Sequence, residues 1–73
     1  MEKLNTILCE VLRLSEEDIV DTLTMSDVER WDSLTHMDLV TSIEQGLGIE
    51  FSMDDIISMK DVMTIRTIVE SLQ

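Results

Sequence analysis

Apolar residues recur at α-helical spacing in the first and last segments of the chain. Near the start, five of them fall at i, i+3, i+4, i+7 and i+8: Leu4, Ile7, Leu8, Val11 and Leu12. Near the end, a similar set is Val62, Ile65, Ile68, Val69 and Leu72. Each set predicts a helix with one apolar face. Because 73 residues allow only one hydrophobic core, we expect residues 1–73 to form a single domain.

The composition favours a compact helical domain over the other small-domain classes. The chain has no proline, two glycines and two aromatic residues, Trp31 and Phe51, which disfavours both disorder and a β-sandwich. Its one cysteine cannot form an internal disulfide. It also lacks a basic-then-apolar leader, so we expect a cytoplasmic protein that does not enter membranes.

A second helix is predicted in the middle of the chain. Asp32 is a good N-cap for it, and Gly46 or Gly48 can close it in the left-handed conformation. Trp31 and His36 would occupy the two positions of a hydrophobic staple. The core-facing arc of this helix would contain His36, Leu39, Val40, Ile43 and Leu47.

Two further caps predict the remaining helices. Ser52 followed by Asp55 matches a capping pair that opens a short third helix, and Asp61 can cap the last one. The predicted fold is therefore all-α: a small four-helix bundle with three longer helices and one short helix.

A long loop is expected between the first two helices, since the first helix should end near Arg13. Residues 14–31 lose the helical period but keep several apolar side chains. An unstructured loop of this length is unusual in a compact domain. We therefore expect this loop to be pinned to the core, and either to be functional or to contain a short helical turn.

The negative charge of the chain is concentrated in its middle. Sixteen acidic residues against five basic ones give a net charge of −11. Residues 14–59 contain twelve of these acids and one base, Arg30. Such a surface repels nucleic acids and anionic lipids, and it would steer the protein towards basic partner proteins. The alternative is a solvated surface that only keeps the protein soluble.

Part of the second helix presents a different surface away from the core. Leu34, Met37 and Thr41 fall opposite the core-facing arc, flanked by Asp38 and Glu44. Apolar side chains ringed by carboxylates favour a docking surface for a partner. The alternative is that Leu34 and Met37 pack beneath the long loop.

The motif Asp32-Ser33-Leu34, in this order of helices and in a small acidic chain, resembles the acyl carrier protein family. The resemblance covers the whole chain and includes Gly48-Ile49-Glu50 after the second helix. It implies that Ser33 carries a 4'-phosphopantetheine arm derived from coenzyme A, and that Asp32 helps a phosphopantetheinyl transferase and its metal to engage the site. The site would then comprise Asp32, Ser33 and Leu34.

Ser33 also suits this role on physical grounds, because the positive end of a helix favours an attached phosphate. The family resemblance implies a monomeric, non-catalytic carrier. Its partners would be acyl-activating, acyl-transfer or synthase enzymes that dock on Leu34, Met37, Asp38, Thr41 and Glu44. The alternative function is an acidic helical adaptor that binds a basic protein without a prosthetic group.

Catalysis and metal binding by the chain itself are not expected. Ser33 and His36 stand three apart, but no oxyanion hole is identifiable and His36 belongs to the core-facing arc. We interpret His36 as a packed or staple residue. One cysteine and one histidine cannot complete a zinc site, and the acids do not match a calcium-binding loop.

Two residues before the motif depart from the pattern of fatty-acid carriers. Arg30-Trp31 stands where those proteins commonly have a Gly-Ala type pair. The string from Trp31 to His36 is more similar to free-standing carriers of specialised pathways, such as secondary-metabolite or polysaccharide synthesis. A fatty-acid-like pathway is the alternative.

Overall fold

The computed structural model describes residues 2–73, so Met1 of the expected domain lies outside the described residues. Within residues 2–73 the chain forms four α-helices: α1 (Glu2–Leu12), α2 (Ser33–Leu47), α3 (Met53–Ser58) and α4 (Val62–Leu72). Two 3₁₀ turns, Glu16–Asp18 and Met25–Asp27, lie between α1 and α2. The prediction of an all-α fold with three longer helices and one short one is confirmed.

The predicted caps define where α2, α3 and α4 begin. The Asp32 carboxylate accepts a hydrogen bond from the Thr35 N–H at 2.9 Å. The Asp61 carboxylate accepts from the Thr64 N–H at 2.7 Å in the same way. Each cap satisfies a backbone donor that the first turn of a helix leaves without an intrahelical acceptor.

A full capping box opens α3. Ser52 Oγ accepts from the Asp55 N–H at 3.1 Å, while the Asp55 carboxylate accepts from the Ser52 N–H at 3.1 Å. These reciprocal bonds support a helix of only six residues, which would be marginal alone.

Left-handed residues end α1 and α2. Gly48 closes α2 with a φ of 67°, as predicted. Arg13 has a φ of 56° directly after α1 and allows the Leu14 N–H to donate to the Cys9 carbonyl at 3.1 Å. This six-to-one bond is typical of a Schellman ending, although a non-glycine residue rarely adopts the conformation.

The long loop is pinned to the core, as predicted, and of the two alternatives for such a loop the structure shows helical turns, two of them. Ile19, Val28 and Trp31 are buried, whereas Val20 is exposed. The loop also pairs with the start of α4, where the Val62 N–H donates to the Leu23 carbonyl at 3.0 Å. These contacts fix the path of the chain from α1 to the beginning of α2.

The core is built from α1, α2, α4, the long loop and the residues that flank α3. Its buried apolar side chains are Leu4, Leu8, Leu12, Ile19, Val28, Trp31, Leu39, Val40, Ile43, Phe51, Met59, Val62, Ile65 and Val69. The predicted core faces of α1 and α2 are confirmed, with Ile7, Val11, His36 and Leu47 partly buried. Leu72 differs from expectation and is exposed, because it lies at the end of α4, beyond the buried side chains.

One arginine connects three parts of the fold. Arg66 on α4 donates to the Asp21 carboxylate in the loop and to Asn5 Oδ1 on α1, the latter at 2.9 Å. This cross-connection holds α1, the loop and α4 together. Over residues 2–73, every helix is too short or too polar to span a bilayer.

Candidate functional site

Ser33 is the first residue of α2, and its side chain is exposed. The sequence places it there because Asp32 has an extended backbone and caps the fifteen-residue helix that follows. At this position the hydroxyl lies beside the backbone N–H groups of the first turn, where the helix dipole favours negative charge. The predicted attachment residue is therefore accessible to an enzyme and electrostatically suited to carry a phosphate ester.

Asp32 is exposed and ionised, and its carboxylate is engaged in capping. The Thr35 N–H that bonds this carboxylate is the main reason that the pKa of Asp32 lies below its ordinary value. A carboxylate so held is charged at neutral pH. It therefore caps α2 while its remaining lone pairs stay exposed to solvent.

Leu34 and Met37 point away from the core. The Leu34 side chain is 77% exposed and that of Met37 is 50% exposed. Thr41 and Asp38 are exposed on the same helix. The alternative in which Leu34 and Met37 pack under the loop is wrong, because the loop packs against the core through other residues. Four of the five predicted docking residues are therefore exposed on α2, the helix that begins at Ser33, and we call them the outward face of α2.

Glu44, the fifth predicted docking residue, differs from the others. It is half-buried, and its Oε2 accepts a hydrogen bond from the Phe51 N–H at 2.9 Å. This bond holds the segment that leads from α2 to α3. Glu44 still contributes a negative charge at the edge of the site, but its carboxylate already has a structural partner.

His36 fills the staple position with hydrogen bonds as well as packing. Trp31 Nε1 donates to His36 Nδ1 at 3.0 Å, and the two rings stack with centroids 6.2 Å apart. His36 Nε2 lies 2.9 Å from the Ile56 carbonyl oxygen on α3. Because both ring nitrogens are engaged away from Ser33, His36 is not arranged as its general base. The staple interpretation is confirmed.

Two exposed apolar residues on α3 were not singled out in the sequence as surface residues. Met53 and Ile57 are 70% and 59% exposed. They stand four apart, so they share one face of the short helix. This spacing was the signal in the sequence for a shared apolar face. The sequence alone could not show that the core covers Ile56 instead of Ile57.

The remaining reactive side chains do not form a second site. Cys9 is partly buried, and burial, followed by the nearby Glu16 and Asp18, raises the pKa of its thiol. A raised pKa disfavours the nucleophilic thiolate. Over residues 2–73, no three His, Cys, Asp or Glu side chains gather as a metal-binding group.

Similarity to known proteins covers nearly the whole chain, including Ser33. The family model for the phosphopantetheine attachment site matches residues 2–72. The acyl carrier protein of Coprothermobacter proteolyticus is 33% identical over 70 residues, covering 96% of this chain and 85% of that protein. The solution structure of holo acyl carrier protein from Geobacter metallireducens matches with a TM-score of 0.86 at 25% identity. That match covers 97% of this chain and 82% of the other.

Proposed function

Because this chain belongs to the acyl carrier proteins of the phosphopantetheine-attachment family, we propose that Ser33 is the residue that carries its 4'-phosphopantetheine arm. The observation that carries this assignment is the exposed Ser33 hydroxyl at the capped, positive end of α2. Asp32 and Leu34 complete the attachment site. Proteins of this family carry acyl groups for enzymes and are not enzymes themselves.

The attachment step is a phosphoryl substitution carried out by a separate transferase. Ser33 Oγ forms a bond to the phosphorus nearest the pantetheine of coenzyme A, the pyrophosphate P–O bond breaks, and adenosine bisphosphate leaves. The hydroxyl proton passes to a base on the transferase. Asp32 contributes a carboxylate one residue from Ser33 that can reach the metal ion of that enzyme. The attached arm supplies a thiol on which acyl groups are held as thioesters.

Docking of partner enzymes is proposed on the outward face of α2. Leu34, Met37 and Thr41 supply the contact surface, while Asp38 and Glu44 attract a basic partner. Interactions of the family are with synthases and acyl-transfer enzymes. Because exposed charges are screened over about 8 Å at physiological ionic strength, docking should weaken as salt increases. Weak, salt-sensitive contacts suit a protein that must release each enzyme before meeting the next.

We extend the proposal to the setting in which the carrier works. The Arg30-Trp31 pair before the motif supports a free-standing carrier of a specialised pathway, such as secondary-metabolite or polysaccharide synthesis. The single buried core supports one domain, and the net charge of −11, which makes copies of the chain repel one another, supports a monomer. The small acidic chain and its unpaired cysteine support a cytoplasmic location.

The attachment site is tested by measuring the intact mass of the protein. The wild-type chain is incubated with coenzyme A, magnesium and a broad-specificity transferase. We expect the mass to increase by one phosphopantetheine group. Ser33→Ala should remain unmodified, whereas Ser26→Ala, which removes another exposed serine in the loop before α2, should be modified like the wild type.

An unchanged wild-type mass, under conditions that modify a known carrier, would reject the attachment site. That outcome would favour the acidic adaptor, which needs no prosthetic group. Modification of Ser33→Ala would instead show that another hydroxyl carries the arm.

A further inference from the structure

The hydrogen bonds of His36 define its protonation state. An indole N–H can only donate, so His36 Nδ1, 3.0 Å from Trp31 Nε1, must be an unprotonated acceptor. The Ile56 carbonyl can only accept, so His36 Nε2, 2.9 Å from it, must carry the proton. His36 is therefore the neutral Nε2–H tautomer. In this form each ring nitrogen has a hydrogen-bond partner.

These two bonds connect the approach to Ser33 with α3. Trp31 is buried and lies two residues before Ser33. Ile56 lies in the middle of α3, twenty residues after His36. His36, near the start of α2, is thus hydrogen-bonded both to Trp31, which leads into that helix, and to the backbone of α3 at Ile56.

α3 depends on such outside support. A helix of six residues has too few internal hydrogen bonds to be stable alone. Glu44 holds the backbone just before it, at Phe51, and His36 holds its centre. Two side chains of α2 therefore position α3 at separate points, and only the His36 bond also involves the approach to Ser33.

We propose that His36 is a positioning residue that couples α3 to the Ser33 end of α2 through the Trp31–His36–Ile56 hydrogen bonds. A partner that displaces α3 then loosens the backbone that presents Ser33. By linkage, an enzyme that clamps the start of α2 stabilises α3. The effect on arm attachment rests on the proposed function of Ser33, whereas the coupling between the two helices does not.

The tautomer is tested in the unmodified wild-type chain. Nitrogen-15 NMR of the imidazole at neutral pH should show a proton on Nε2 and none on Nδ1. A proton on Nδ1, alone or in the doubly protonated ring, would overturn the proposal, because Trp31 Nε1 would then face a second donor. This measurement needs no variant.

Two amide variants separate the bonds. In His36→Asn, the amide oxygen can replace Nδ1 as the acceptor for Trp31, but the side chain is too short to reach Ile56. In His36→Gln, the amide nitrogen can replace Nε2 as the donor to Ile56, but Trp31 loses its acceptor. We expect amide hydrogen exchange at Ile56 and Met59 to be about fivefold faster in His36→Asn, the ratio that corresponds to one hydrogen bond. His36→Gln should retain wild-type exchange there.

The amides of α1 are the internal control, because they report global opening. Equal acceleration in α1 and α3 would show general destabilisation and overturn the coupling. Equal exchange in α3 for His36→Asn and His36→Gln would overturn it as well. Trp31 provides an independent signal, since the emission of this single tryptophan should shift in His36→Gln and stay near that of the wild type in His36→Asn.

The consequence for Ser33 is measured with the transferase. We expect both variants to raise KM for the carrier about fivefold with kcat unchanged, because each removes one hydrogen bond that holds Ser33 in its binding geometry. A wild-type KM in His36→Asn, together with faster exchange in α3, would overturn the coupling to Ser33. If the wild-type chain is not modified at all, the proposed function fails, and the NMR and exchange results still decide whether His36 couples the two helices.

Discussion

The backbone N–H of Phe51 donates a hydrogen bond to the carboxylate of Glu44 across 2.9 Å. Phe51 is part of the core, and Glu44 is on α2 at the edge of the predicted docking surface. The same carboxylate therefore holds the segment that enters α3 and adds negative charge beside the outward face of α2. A role in folding and a role in docking can be separated by substitutions at this position.

Glu44→Gln should keep the fold and change docking. Its amide oxygen still accepts from Phe51, so the free energy of unfolding should stay within about 0.5 kcal/mol of the wild type. Glu44→Ala leaves the Phe51 N–H without its acceptor and should cost about 1–2 kcal/mol. Urea unfolding followed by circular dichroism measures both. Equal stability of the two variants would show that this bond does not support the segment between α2 and α3.

Met37→Glu should weaken the binding of partner enzymes without unfolding the protein. Its side chain is half exposed on α2, so a charge there meets water in the free protein but an apolar contact in the complex. We expect the Kd for the transferase to rise about tenfold, equivalent to about 1.4 kcal/mol. Isothermal titration calorimetry gives the Kd directly.

The matched control for this prediction is Met63→Glu on α4. Met63 is similarly exposed, so the substitution makes the same change of side chain and charge on a different helix. It should leave the Kd near the wild-type value. A similar loss of affinity in both variants would point to net charge and not to the outward face of α2.

A close approach between α1 and α2 predicts an interaction between Gly46 and Ile7. A Cβ on Gly46 would lie 2.7 Å from Ile7 Cδ1, which must then shift. Gly46→Ala gains helix propensity of about 1 kcal/mol, and this contact offsets the gain. Ile7→Val removes Cδ1 and should cost about 1 kcal/mol alone.

The free energy of unfolding of the double variant should be about 1 kcal/mol higher than the value expected from adding the effects of the two single substitutions. The reason is that valine makes room for the new methyl group. Thermal and urea unfolding of the four proteins in the cycle measure the coupling. Additive effects would show that Ile7 can move aside freely. Gly48→Ala is a useful contrast, since its cost of about 1 kcal/mol comes from the positive φ and should not depend on Ile7.

Acid should weaken the cap of α4. Hydrogen bonds from the side chain and then the backbone N–H of Thr64 lower the pKa of Asp61 from its ordinary value of 3.8. A lowered pKa in the folded state means that the stabilisation is complete above the ordinary value. It is lost as the pH falls below 3.8 and through the lower folded-state pKa. The contribution at neutral pH should be no more than about 1 kcal/mol.

Asp61→Asn tests this prediction, because asparagine also caps helices but does not titrate. Urea unfolding between neutral pH and about pH 3 should give a constant stability difference between the two proteins above about pH 5. At lower pH, Asp61→Asn should become more stable relative to the wild type. A stability difference that is independent of pH would show that the charge of Asp61 does not contribute to the strength of the cap.

Sequence patterns alone were enough to predict the helices, their caps and the place of Ser33 at the start of α2. These features depend on residues within about four positions of one another, as in the bond from Thr35 to Asp32 or the capping box of Ser52 and Asp55. The outward direction of Leu34 and Met37 also followed from helical spacing. Local periodicity is sufficient for such predictions because a helix fixes the relative directions of its own side chains.

Contacts between different elements of the fold could not be predicted from such patterns. His36 reaches the Ile56 carbonyl and Glu44 reaches the Phe51 N–H, and neither pairing has a sequence pattern because every residue offers similar backbone groups. Arg66 donates a hydrogen bond to the Asp21 carboxylate, which lies 45 positions away in the sequence. The exposure of Leu72 and Ile57 was likewise decided by where neighbouring elements end. A helical pattern shows which face is apolar, but the other elements of the fold determine how much of that face they cover.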